Sequence, residues 1–321
     1  MTFDEATAIE QLDSHTYRAN FSPEWVIGSV PHGGYVTACF MKAVRRHFDT
    51  TLHQQRQPHT VSLHLDFLRR TDLGPAIFKV KDVKFGRTTT IVHVMLYQNG
   101  SEEVVGYITN SNIDKETGLS FETSWELHPR PPPLSNLSCL EADIDTNWGE
   151  RREWPFSDFR TAATKVRAWF PRNGHHSKTC LDMWFCFRDP QSRFTNESLG
   201  FICDTFPQLI ESNVIGWDIY GLEFERKYDM GEQRKLIKES GFQQMWYPTL
   251  LLNLDVKKAL PEEGVRFLFS RVQTKQVKNG RYDLEVVLMD AEGDLVALSH
   301  HVVYAVSADR NTAGRKPPMK L

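Results

Sequence analysis

Cysteine is scarce in this chain of 321 residues. Five cysteines are scattered along it (Cys39, Cys139, Cys180, Cys186 and Cys203), and no two form a C-x-x-C pair. Such spacing offers neither a disulfide framework nor a zinc site, so a reducing, cytoplasmic compartment is the expectation. Long apolar runs are also missing: none approaches the ~20 residues that a membrane-crossing helix requires. Nor is there an excess of positive charge. Lys and Arg number 38 against 41 Asp and Glu, a formal charge of −3, which argues against a nucleic-acid partner. The opening MTFDEATAIEQLD lacks a basic stretch followed by an apolar one, so no secretory leader is expected. Nothing matches G-x-S-x-G, G-x-G-x-x-G or the Walker pattern, which disfavours α/β-hydrolase, dinucleotide-fold and P-loop chemistry. What is present suits a folded interior, with 40% hydrophobic and 12% aromatic residues.

The chain also contains a repeat. TVSLHLDF (Thr60 to Phe67) matches TLLLNLDV (Thr249 to Val256), 189 residues further on (249 less 60). Downstream of each copy the sequence alternates apolar and polar residues over long stretches, broken at turns. Gln98-Asn99-Gly100 in the first half answers Asp290-Ala291-Glu292-Gly293 in the second, and Lys278-Asn279-Gly280 marks a further turn. A helical segment precedes each copy. Val36, Phe40, Ala43, Val44 and His47 share one face of the first. Leu199, Ile202, Cys203, Phe206, Leu209 and Ile210 follow helical spacing in the second, where Pro207 is expected to kink or shorten the helix. Each half thus reads as a short strand, one apolar helix and several long antiparallel strands.

These observations predict an N-terminal module over residues 1–118, a proline-rich linker over 119–153 and a C-terminal module over 154–321. An insertion at about 212–244 has no counterpart in the first half. Charged insertions of this kind lie over a surface and sometimes over the mouth of a site.

Four motifs carry a family resemblance. Pro31-His32-Gly33-Gly34-Tyr35 resembles the glycine-rich entry to a first hot-dog helix, and His59 to Arg70 (HTVSLHLDFLRR) resembles the H-S-x-H-x-x-F-x-R strand of type II acyl-CoA thioesterases. Leu199 to Pro207 (LGFICDTFP) resembles the second-helix motif with its aspartate, and Trp246 to Asp255 (WYPTLLLNLD) resembles the W-x-P-T-L-D-L-T strand. The resemblance implies an α+β double hot-dog fold, in which two tandem modules each wrap an antiparallel sheet around one helix. It also implies hydrolysis of an acyl thioester, carried by CoA or an acyl carrier. The family's catalytic aspartate, threonine and glutamine map onto Asp204, Thr249 and His301. The third position departs from the family, since histidine exchanges protons where glutamine can only orient.

Asp204 sits among Phe201, Ile202, Cys203 and Phe206, a setting expected to raise its pKa. Strict alternation along the second copy turns Thr249 away from the row Leu250, Leu252, Leu254 and Val256, unless a bulge after Pro248 reverses it. Matching the halves puts Ala38 opposite Asp204 and a residue near Asn110 opposite His301, so a single asymmetric site is expected. Gly33, Gly34, Gly200, Phe201 and Trp246 are the expected substrate-binding residues, with backbone N–H groups near Gly34 or Gly200 polarising the carbonyl. Adjacent histidines at 175–176 and 300–301 point to opposite strand faces, so no metal is expected, and no cofactor. The alternatives are another enzyme on this scaffold (hydratase, dehydratase or biosynthetic cyclase) and a non-catalytic acyl or small-molecule binder. The resemblance further implies pairing into a homodimer. The terminal Met319-Lys320-Leu321 resembles a peroxisomal S-K-L address but puts methionine where a small residue belongs.

Overall fold

A computed structural model describes residues 1–314; the tripeptide Met319-Lys320-Leu321 lies outside the described residues. The first half contains β1 (Thr16–Phe21), α1 (Gly33–Asp49), β2 (His59–Phe67), β3 (Gly74–Lys84), β4 (Thr90–Gln98) and β5 (Ser101–Ser111). The second half opens with β6 (Trp148–Arg151), β7 (Val166–Pro171) and β8 (Cys180–Phe187). Helices α2 (Leu199–Ile202), α3 (Leu209–Ile215), α4 (Leu222–Lys227) and α5 (Met230–Glu239) follow. Strands β9 (Thr249–Val256), β10 (Leu268–Gln273), β11 (Arg281–Met289) and β12 (Leu295–Tyr304) complete it.

Period-two patterning makes the strands. In β4, Val92, Val94 and Leu96 point inward, and in β11 Tyr282, Leu284, Val286 and Leu288 do the same, leaving polar or half-buried residues on the other face. The strands form one antiparallel sheet in the order β1-β3-β4-β5-β2-β9-β12-β11-β10-β8-β7-β6, extended by a short strand, Glu10–Gln11, beyond β1. β9, β12, β11, β10 and β8 repeat β2, β5, β4, β3 and β1 in mirror order, and β7 and β6 are extra. This is the double hot-dog arrangement.

The two halves meet where β2 pairs with β9, and there the repeat pairs with itself. His64 lies opposite Asn253, its own counterpart 189 residues on, and its Nδ1 is 2.7 Å from Asn253 Oδ1. A pseudo-two-fold axis therefore runs through this pair. The register also corrects one match between halves. Leu63 faces Ile108 as Leu252 faces His301, so the counterpart of His301 is Ile108, whereas Asn110 answers Val303.

Helix α1 is buried on almost every side because α2 packs against it as well as the sheet. Two glycines permit that approach. A Cβ on Gly34 would lie 2.7 Å from Phe201 O, and one on Gly200 would lie 2.9 Å from Ala38 N. The periodicity of residues 199–210 predicts a helix that Pro207 kinks or shortens. The structure breaks it into α2 and α3 with an irregular stretch between, because Pro207 lacks the N–H and the φ freedom to continue. Asp204 stands in that break.

Residues 119–153 have more structure than their proline content suggests. Leu127, Leu140 and Trp148 bury against Trp169, Trp184, Phe267 and Phe269 on the outer face of the second half, and β6 joins the sheet. The insertion is helical and rests on that same edge, where Arg151 donates to Gly221 O and to Gln233 Oε1.

Candidate active site

A cavity of about 600 Å³ opens between the halves. One wall is the entry to α1 (Pro31, His32 and Gly33), and the next is the break after α2 (Asp204, Thr205, Phe206 and Gln208). The start of β9 adds Trp246, Tyr247, Thr249 and Leu250, and β11 adds Tyr282 and Leu284.

The N-terminus of α1 points at Asp204. Gly34 N–H donates to Asp204 Oδ2 at 2.6 Å, a charge-assisted bond at the positive end of the helix. His32 caps the same helix, its Nδ1 accepting from Gly34 N and Tyr35 N. That ring nitrogen lies 3.8 Å from Asp204 Oδ2. With Nδ1 acting as acceptor, the ring proton sits on Nε2. Burial holds the His32 pKa below its ordinary value, so the ring is neutral at pH 7.

His301 approaches Asp204 from the opposite side. Its Nδ1 is 3.4 Å from Asp204 Oδ1, and its Nε2 is 2.8 Å from Ser299 Oγ. Ser299 Oγ donates to Asn253 O, so toward His301 it can only accept. Nε2 therefore carries a proton, and Nδ1 faces the carboxylate, to which it donates when the ring is protonated at both nitrogens. Asp204 corrects the sequence expectation. Burial does push its pKa upward, but the His301 hydrogen bond, the His32 and His301 charges and the Gly34 N–H outweigh it and hold the carboxyl below the usual aspartate range.

Thr249 lines the same cavity as Asp204. The register of β9 against β12 slips between Thr249 and Leu251, and this bulge breaks the alternation that would have turned Thr249 away. Leu250 consequently leaves the buried row and also lines the cavity, 37% exposed. His301 is fully buried and forms no part of the cavity wall; it stands behind Asp204. Of the expected binding residues, Gly33 and Trp246 line the cavity and Gly34 sits just behind it. Gly200 and Phe201 do not reach it. Gly200 packs on Thr37 and Ala38, and Phe201 packs among Phe3, Trp25, His32 and Phe187. The pseudo-symmetric counterpart of the Asp204 corner is thus filled by Thr37 and Ala38.

Sequence reasoning overlooked His32, although it stands beside the two glycines that were singled out. Its signal was the N-cap position before an apolar helix, where a side-chain acceptor is wanted. Cys203 is buried and its thiol pKa is pushed up by that burial, which leaves it unreactive.

One further cluster has metal-ligand geometry. His15, His47 and Asp82 bring their ligand atoms within 4.8 Å of one another at the far end of α1. Sequence spacing could not show it, because the three come from separate elements. Both Nε2 atoms lie against Asp82, at 2.9 and 3.2 Å, and both Nδ1 atoms face hydroxyl groups, Ser14 Oγ and Tyr17 Oη, so the group is complete as a hydrogen-bond network.

Comparison with known proteins agrees with this architecture. Residues 21–111 match the family described as acyl-CoA thioesterase N-terminal domain, and residues 135–305 match its C-terminal domain. The chain is 35% identical to the thioesterase-like protein TwmA of Talaromyces wortmannii over 98% of its own length and 94% of that protein. It is 27% identical to the ustilagic acid biosynthesis cluster protein orf2 of Mycosarcoma maydis over 49% of the chain and 50% of that protein. Among solved structures, the acyl-CoA thioesterase II TesB2 of Mycobacterium marinum superposes with a TM-score of 0.57 at 17% identity, covering 95% of this chain and 98% of that one. A hot-dog protein from Alicyclobacillus acidocaldarius reaches 0.67 at 17% identity, covering 99% and 98%.

Proposed function

The chain belongs to the acyl-CoA thioesterase family, and from that premise we propose that it hydrolyses acyl thioesters carried by CoA in the cavity walled by Asp204. One observation carries the reading: an ionised, largely buried carboxylate is held on a cavity wall by a helix N-terminus and an imidazole.

In this reading a water sits between Asp204 and the Thr249 hydroxyl. Asp204 takes a proton from it as its oxygen attacks the thioester carbonyl carbon. The oxyanion is met by the His32 Nε2–H and by the Gly33 N–H, the first-turn amide of α1 not engaged by Asp204 or His32. When the C–S bond breaks, the proton held by Asp204 goes to the departing thiolate, and acid and thiol are released. His301 touches no substrate. It is a positioning residue that fixes the carboxylate and its ionisation. Arg69, Arg70 and Arg310 line the same cavity and supply the local positive charge that an anionic CoA needs, since the net charge of −3 does not. The homodimer and the cytoplasmic setting belong to the same proposal and are checked by sedimentation and by imaging a tagged chain.

Thiol release from a panel of acyl-CoAs tests the proposal. Wild type is expected to turn over and Asp204→Asn to be severely impaired. An inert wild type, or a variant as active as wild type, would overturn it. A second reading has its own support: His32 and Asp204, 3.8 Å apart, also suit water addition to an enoyl thioester. That reaction bleaches the enoyl absorbance without freeing thiol, so the two readings separate in one cuvette.

A further inference from the structure

The far wall of the cavity is polar, and a cluster of buried charge stands at it, with Arg160 itself among the lining residues. Glu211 is fully buried, and its carboxylate is held on every side. Arg160 Nη2 donates to Oε1 at 2.5 Å and Nη1 to Oε2 at 3.1 Å, while Tyr247 Oη donates to Oε1 at 2.8 Å. Tyr220 Oη donates to Oε2 and itself accepts from Arg160 Nη1. Burying an Arg–Glu pair is expensive, and nothing about holding an alkyl chain calls for one. Its geometric effect is definite. The Tyr247 hydroxyl hydrogen is committed to Glu211, so toward any other group the hydroxyl oxygen can only accept. Tyr247 lines the cavity.

Gln208 complements it. Tyr282 Oη donates to Gln208 Oε1 at 2.9 Å, which fixes the amide orientation and turns its N–H donors elsewhere. Gln208 also lines the cavity, and its amide nitrogen has no protein partner among the described residues. Asp204, Gln208, Tyr247 and Tyr282 line the same cavity, so the polar wall and the reacting carboxylate belong to one compartment. One wall therefore offers a fixed acceptor and a fixed donor, the complement of a hydroxyl group, which donates once and accepts.

From this the geometry points to acyl thioesters with a hydroxyl on the acyl chain as the substrate class, read by Tyr247 and Gln208 and oriented by the Glu211–Arg160 pair. The inference rests on the hydrolytic reading above and narrows its substrate. A site with committed donors and acceptors discriminates strongly against an analogue that leaves them unpaired.

The test compares kcat/KM for decanoyl-CoA with its β-hydroxy and δ-hydroxy derivatives, in wild type and in Tyr247→Phe and Gln208→Leu. At least one hydroxyacyl thioester is expected to exceed the plain chain by about tenfold or more, with the ratio collapsing toward unity in both variants. Phenylalanine keeps the ring and its packing, so an altered ratio does not reflect misfolding. A wild type that prefers the plain chain, or variants that keep the ratio, would overturn this inference and leave hydrolysis standing. If no thioester is cleaved, the hydrolytic reading fails instead. Binding of non-hydrolysable thioether analogues, by the shift in melting temperature, then decides the specificity separately: a larger shift with the hydroxylated thioether supports it, and equal shifts overturn it.

Discussion

Asp204 is ionised because of neighbours from two distant segments: His32 and Gly34 at the entry to α1 in the first half, and His301 on β12. Its sequence neighbours alone would have argued for the opposite, which is why the direction of its pKa was not legible in the sequence while its identity was. We expect Asp204→Asn to lower kcat/KM by about 10²- to 10⁴-fold, the range for losing a general base, with binding of a thioether analogue retained. His301→Gln tests the positioning role. It removes an interaction that lowers the Asp204 pKa, so the acid limb of the kcat/KM profile should move to higher pH. An unchanged limb would argue that His301 serves packing alone. His32 was harder to see, because its role depends on which way a helix N-terminus points.

Elements were legible where their period was clean. The alternation in β4 and β11 and the apolar face of α1 read directly from the sequence, and the two halves emerged from the repeat. Single residues that change the period decided the rest. Pro207 broke the second helix, as its chemistry predicts, whereas a one-residue bulge after Thr249, which strict alternation does not show, turned that side chain to the cavity. Register between halves was misjudged by two residues, from Ile108 to Asn110, because strand ends carry little pattern of their own. The α1–α2 approach yields a prediction at this scale. Gly34→Ala places a methyl group 2.7 Å from Phe201 O and 2.8 Å from Asp204 Cβ. We expect a loss of about 1–3 kcal/mol in urea unfolding, together with reduced turnover, as the helices separate beneath the carboxylate.

For the whole molecule, acid is the vulnerable side. Burial lowers the pKa of His32, His47 and His175, so the folded state binds fewer protons than the unfolded chain below about pH 6.5. Their contribution is complete above that pH and is lost as pH falls toward the lowered folded values; Asp204, also lowered, adds to the loss further down. The urea midpoint should therefore drop between pH 7.5 and pH 5.5, and a midpoint that rose would contradict the burial of these rings as neutral groups.

The pairing of His64 with Asn253, each in the same place in its own half, has a history written into it. An antiparallel seam that joins a position to its own copy is the geometry of two identical chains meeting about a two-fold axis. In such an assembly every substitution appears twice, so a corner that acquires a carboxylate acquires it on both sides. Fusion lifted that constraint. In a single chain the two corners can differ, and here one carries Asp204 and His301 where the other carries Ala38 and Ile108. The same tether makes the seam indifferent to dilution, so any dependence of the unfolding midpoint on protein concentration should report the homodimer contact and not the β2–β9 seam.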